Sequence, residues 1–274
     1  MRNLATEIRE TSVPRGAISI WWLGQAGFVL KGQNAVLGID LYLSDYPGKA
    51  PRAYAPIVQP AELTGMDVVV CTHDHSDHLD PWTLARIASA SPKAVFVLPV
   101  GCLPAVAEIL PVEATIGTRA DARVEVGEID ILPIPAAHEA VTDELVSRRQ
   151  GYIIKLDGIR VCHTGDTIMY DGLAERLQEN CVDVLFAPIN GRDYFRSHRG
   201  VVGNLDIREA ADLAVAAKAR LLVPSHWDLF PTNGANPGHL IEYLARAHPE
   251  QPCHYMARGE RFFYFPGRET VGEL

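Results

Sequence analysis

The sequence predicts an α/β fold laid out as a four-layer αβ/βα sandwich, with two sheets inside and helices outside. Three observations carry this. A β-rich meander comes early, strand-sized apolar runs then alternate with helical stretches, and this order of strands first and α/β units after occurs twice. With 274 residues, 47% of them hydrophobic, the chain has enough apolar side chain to bury a core of that size. It contains no low-complexity segment, short repeat or linker, so a single domain over residues 1–274 is the expectation.

In chain order, ISIWWL, GFVLK and AVLGID between Ile18 and Asp40 are short β-rich segments separated by the turn-prone GQAG and KGQN, which reads as an antiparallel meander. The Pro-rich stretch from Tyr46 to Pro60 reads as loop, and DVVVC at 67–71 is an apolar run of buried-strand type. Helix is expected from Pro81 to Ala90, strand from Ala94 to Val100, and helix again near Leu103 to Leu110. After Gly117 the pattern returns to strands: ARVEVG, IDILPIPAAH, GYIIKLDG and IRVCHTGD, the last two joined by the hairpin signal Asp157-Gly158. The second half then alternates a helix near Gly172 to Glu179, the strand VDVLFAPI, a helix from Asp206 to Ala219, the strand RLLVPSH, a helix from Pro237 to Ala247 and the strand RFFYFP.

Composition narrows the function. A net charge of −9 argues against nucleic-acid binding, which needs a basic footprint. No apolar run approaches the roughly 20 residues of a membrane-spanning helix, and the first residues lack the apolar core of a secretory signal. A soluble, cytoplasmic protein is expected. The five cysteines are widely spaced with no C-x-x-C pair, and read as free thiols.

Residues 72–81, THDHSDHLDP, hold three histidines and three aspartates. His73 and His75, two apart just past a strand, point the same way and can grip one ion. Asp77 and His78 follow the turn of the chain and can face a second position. Asp80-Pro81 reads as a helix start with Asp80 as N-cap, and Asp74 between the paired histidines should point away. The bland alternative, a solvated loop, fits poorly with so dense a set of ligands preferred by borderline divalent metals. Three more candidates lie at strand ends: His138 in IPAAHEA, Asp166 in CHTGDT and His226 in LLVPSHWD.

With these residues in place the sequence resembles the metallo-β-lactamase superfamily, whose signature H-x-H-x-D-H is followed by a distal His, an Asp in a T-G-D context and a final His. The resemblance runs over residues 18 to 265. It implies two metals, one held by His73, His75 and His138, the other by Asp77, His78 and His226, with Asp166 bridging. Asp40 in GID matches the superfamily's upstream Asp that braces the histidine loop. The stretches WLGQAGF, APINGRD, NLDIREA and PSHWDLFPTNGANP look like the L-ascorbate-6-phosphate lactonase subfamily. That likeness implies a hydrolase that opens a sugar-derived, often phosphorylated, lactone, with manganese as the family metal, where ligand types alone point to zinc. The implied chemistry is attack of hydroxide held by the ions on the lactone carbonyl, with Asp77 and Asp166 as the catalytic carboxylates.

Around this set, Asp228 is placed to orient His226 or a substrate, and His163 to pack or hydrogen-bond rather than bind metal. The segment APINGRDYFRSHRGVVGN, residues 187–204, offers Asn190, Arg192 and Arg196 as substrate contacts, since arginine's planar fork suits phosphate and carboxylate. A small anionic substrate is therefore the expected partner, nucleic acid and membrane are not, and a homo-oligomer is compatible with the sequence. Two rival readings remain, a phosphodiesterase or nuclease of the same superfamily and a non-catalytic metal-binding regulatory protein.

Overall fold

Successive strand side chains point to opposite faces of a sheet, and in this chain that period sorts the apolar residues into layers. The computed structural model of the chain describes residues 3–44, 51–138, 141–142 and 146–267. In it, Ile18, Ile20 and Trp22 join the core between two sheets, while the intervening Trp21 and Leu23 pack outward with Ala5, Ile8, Leu84 and Ile87. Val68 and Val70 face inward and Val69 outward in the same way.

Thirteen strands among the described residues form the two sheets. The first comprises β1 (Ile18–Gly24), β2 (Gly27–Lys31), β3 (Val36–Ile39), β4 (Val68–Val70), β5 (Val95–Pro99), β6 (Thr115–Thr118) and β13 (Arg261–Tyr264), in the order β13-β1-β2-β3-β4-β5-β6. The second comprises β7 (Val124–Val126), β8 (Ile129–Pro135), β9 (Gln150–Leu156), β10 (Ile159–His163), β11 (Val184–Pro188) and β12 (Leu221–Ser225), in the order β12-β11-β10-β9-β8-β7. Strands β3 to β6 run parallel, as do β10 to β12, and the rest pair antiparallel. Phe28 of β2 stacks on Phe186 of β11 across the interface, ring centroids 3.9 Å apart.

Among the described residues the α-helices are α1 (Leu4–Glu10) and α2 (Pro81–Ala90) on the first sheet, and α3 (Leu173–Glu179), α4 (Tyr194–His198), α5 (Ile207–Ala216) and α6 (Pro237–Ala247) in the second half. Leu173, Leu177, Ala210, Leu213, Leu240 and Leu244 cover the outer face of the second sheet, against Ile153, Cys162, Leu185 and Leu222. The layers are thus helix, sheet, sheet, helix. No helix among the described residues is long and apolar enough to cross a membrane.

Some local expectations need correction. The helix expected at Leu103 to Leu110 is a 3₁₀ segment, Val100–Ala105, followed by turns; Pro104 lies inside it and has no N–H to donate to a continuing helix. The N-terminal charged stretch holds α1, capped by the Asn3 side chain and anchored by Ala5 and Ile8. β6 begins before Gly117, and the 187–204 segment contains α4, which starts at Asp193 with its carboxylate accepting from the Arg196 N–H. The described part of the Pro-rich loop, 51–59, is irregular; its start lies outside the described residues.

The Asp157-Gly158 hairpin is present, both residues at positive φ (50° and 84°), as a turn matched to the twist of its strands requires. The C-terminal ends of β3, β4, β8, β10, β11 and β12 all open on one edge of the sandwich, and the loops leaving them carry the candidate site.

Candidate metal centre

His73 and His75 leave the end of β4, His138 follows β8, Asp166 follows β10 and His226 follows β12. These sheet ends converge. His73, His75, His138 and Asp166 offer ligand atoms within 4.8 Å of one another, and so do Asp77, His78 and His226. The Asp166 carboxylate stands between the groups: its Oδ1 lies 3.3 Å from His78 Nε2, and its Oδ2 lies 3.2 Å from His226 Nε2 and 3.6 Å from His138 Nε2.

The ring nitrogens are oriented from behind. Asp40, fully buried at the end of β3, accepts from the Thr72 N–H (2.8 Å) and the Thr72 hydroxyl (2.7 Å), and lies 2.7 Å from His78 Nδ1. Since the Thr72 hydroxyl donates to Asp40, its oxygen is left to accept from His73 Nδ1, 3.0 Å away. Both imidazoles thereby carry their proton on Nδ1 and turn Nε2 to the centre, where His73 Nε2 is buried with no hydrogen-bond partner among the described residues. His75 Nδ1 and His138 Nε2 face each other at 3.2 Å. Lone pairs converging on shared points, with carboxylates beside them, suit a divalent cation. The donor set fits the metals that the sequence implies.

Charge divides the two groups. Burial lowers the proton affinity of His73 and His75, and takes His138 down to about 4, which keeps these three neutral. Burial also opposes charge on His78 and His226, but the carboxylates of Asp166, Asp40 and Asp77 outweigh it at His78, pushing it well up, and those of Asp166 and Asp77 push His226 up to about 9. In return, burial raises Asp77 and Asp166 less than the neighbouring imidazoles lower them, and both carboxyls sit well below their usual range.

Two structural residues escape a reading of the sequence. Gln25, in the turn between β1 and β2, has its side-chain Nε2 2.9 Å from Asp77 Oδ2 and 3.0 Å from His226 Nε2. Its backbone is locked as well: the carbonyl accepts from the His226 N–H (2.9 Å) and the Trp22 indole (3.1 Å), and the N–H donates to Asp228 Oδ1 (3.0 Å). Thr72 is the other, as the hinge of the Asp40 network. Gln25, Asp40 and His226 all hold positive φ (53°, 46° and 57°), a strained geometry that persists only where surrounding bonds impose it.

Other sequence-derived candidates sit differently from expectation. Asp228 does not orient the His226 ring; it holds the Gln25 backbone and faces Arg258 at 3.6 Å. Asp80 occupies the N-cap position of α2, but its carboxylate accepts from the Thr83 hydroxyl (2.6 Å) rather than capping a backbone N–H. Asp74 turns away and pairs with Arg148 at 2.7 Å. His163 has both nitrogens engaged, with Nδ1 accepting from the Gly165 N–H and Nε2 bonded to the Ala26 carbonyl.

A cavity of about 380 Å³ opens over the centre. His75, Asp77, His138, Asp166 and His226 form one side; Val201, Val202, Phe230 and Pro231 form much of the other. Asn190, Arg192 and Arg196 do not line it. They line a larger cavity of about 490 Å³ that includes none of the seven converging residues; Arg192 also borders a shallow depression beside His138.

Comparison with known proteins agrees with this geometry. The model of a family described as the beta-lactamase superfamily domain matches residues 34–227. A UPF0173 metal-dependent hydrolase of Pyrococcus furiosus is 30% identical over 224 residues, covering 80% of this chain and 89% of its own. More distantly, a chain of Escherichia fergusonii described as "Probable L-ascorbate-6-phosphate lactonase UlaG" is 22% identical, covering 85% of this chain and 76% of its own. Among solved structures, the metallo hydrolase Igni18 of Ignicoccus hospitalis superposes with a TM-score of 0.69 at 20% identity, over 92% of this chain and all of its own.

Proposed function

The chain belongs to the beta-lactamase superfamily and to its metal-dependent hydrolases, and from that premise we propose that it opens a lactone ring with two divalent ions, manganese or zinc. The observation that carries the reading is the Asp166 carboxylate facing both ligand groups, with the unpartnered His73 Nε2 buried beside it. In this reading His73, His75 and His138 would hold one ion and Asp77, His78 and His226 the other, with the Asp166 carboxylate beside both sets. Ions bound there would polarise an ester carbonyl and bring the pKa of water toward neutrality.

The chain's own residues supply the rest. Asp40 and Thr72 fix the rings of His73 and His78, so that both Nε2 atoms face the centre before any ion or substrate arrives. Gln25 ties one oxygen of Asp77, leaving the other to take the proton of the attacking water and return it to the ring oxygen as the ring opens. No serine or cysteine nucleophile is needed. The distant likeness to a lactonase supports the choice of a lactone over other carbonyl substrates.

A panel of lactones, phosphodiesters and β-lactams, assayed with protein loaded with manganese or with zinc, tests the reading. Lactones should be turned over fastest, and His73→Ala and Asp166→Ala should lose turnover and bound metal together. A His73→Ala protein that hydrolyses lactones at the parental rate overturns it, and phosphodiester turnover above lactone turnover favours the phosphodiesterase reading instead.

A further inference from the structure

We propose that the natural substrate carries an uncharged, compact aliphatic group instead of a phosphate, received by the wall of Val201, Val202, Phe230 and Pro231. This rests on the lactonase reading of the same cavity.

The first support is the fate of the arginines that would hold a phosphate. Arg192 gives both terminal nitrogens to Glu209, each at 2.6 Å, and one of them also donates to the Asn204 carbonyl at 2.9 Å. Arg196 is bound by the Asp193 carboxylate (2.5 Å), the Asn190 carbonyl (2.7 Å) and Asn233 Oδ1 (2.9 Å). Bidentate and charge-assisted bonds of this kind are the strong ones, and both guanidiniums are already engaged by them within the protein. The loop they brace is therefore structural: they hold Asn233 and the 200–203 turn in place from outside the cavity.

The second support is the cavity wall itself. Among the described residues that line it there is no lysine or arginine. An anionic substituent extending past the ions along Val201, Val202, Phe230 and Pro231 meets apolar carbon that offers it no counter-charge. An aliphatic group instead buries surface against two valines, a phenylalanine ring and a proline. Asn233 suits a neutral ester. Its Oδ1 accepts from Asn190 Nδ2 (3.1 Å) and from Arg196, which leaves its own amide N–H groups as donors on the wall.

The test compares γ-octalactone with 6-phosphogluconolactone on the metal-loaded protein. We expect kcat/KM for γ-octalactone to be higher by about tenfold or more, the scale on which apolar pockets discriminate. Val202→Lys should reverse the preference by raising kcat/KM for the phosphorylated lactone, and Arg192→Ala should change both substrates in the same proportion. Preference for 6-phosphogluconolactone, or a KM increase in Arg192→Ala confined to it, overturns the proposal. Competition binding separates this from the parent reading. If neither lactone is turned over while 4-hydroxyoctanoate still binds more tightly than 6-phosphogluconate, the lactonase reading falls and the apolar wall stands; the opposite binding order removes the wall.

Discussion

At the level of single residues, the centre is held by side chains that are not themselves candidate ligands. Gln25 reaches Asp77 and His226 from 52 and 201 positions away in the chain. Replacing Gln25 with alanine frees Asp77 and His226 to move, so metal should bind about 10- to 100-fold more weakly at the site they face. Calorimetric titration of metal-free protein reads this directly, and an unaltered metal affinity would refute it. Asp40→Asn removes the charge that orients His78 and leaves a buried network half satisfied. It should cost about 1–3 kcal/mol in urea unfolding as well as metal affinity. The four converging residues of the THDHSDHLDP loop were legible because the information is local: ligand types crowded just past a strand. Gln25 was not, since a lone glutamine between two glycines reads as turn punctuation until the fold sets it against the loop after β12. The engagement of Arg192 and Arg196 within the protein was not legible for a related reason, because Glu209 and Asp193, which engage them, are ordinary surface acids in the sequence.

At the level of elements, the strand period did most of the work. Continuous apolar runs such as DVVVC and VDVLFAPI announced strands buried on both faces, and the Asp157-Gly158 turn announced its hairpin. Short elements were less legible. α1 and α4 run 7 and 5 residues, too short for a helical period to stand out, and are held by the caps Asn3 and Asp193 and by tertiary contact. The two sheets meet through Phe28 and Phe186, stacked nearly parallel at the centre of the core. Phe28→Ala opens a cavity there, with an expected loss of about 3–5 kcal/mol in chemical denaturation. Because β2 carries the Gln25 turn on one side and pairs with β3, which ends at Asp40, on the other, the same variant should also weaken metal binding.

At the level of the whole molecule, two helix-covered sheets bring strand ends from opposite halves of the chain to one edge, so metal and fold are coupled. A ligand that binds only the folded state stabilises it by about 2.7 kcal/mol at a hundred times its Kd. Treatment with a chelator should therefore abolish hydrolysis and lower the melting temperature together, and restoring zinc or manganese should recover both; a melting temperature indifferent to chelator would count against a metal bridging the halves. The sequence by itself determined the layered α/β architecture and the identity of the converging residues, because strand periodicity and the crowding of histidine and aspartate are local properties of the chain. Only the tertiary structure decided which ring nitrogens face the centre, that Gln25 and Thr72 hold them there, and that the expected phosphate-binding arginines are tied outside the cavity. Those outcomes depend on hydrogen bonds between residues far apart in the chain, and no local pattern encodes which of many compatible partners a polar side chain will meet.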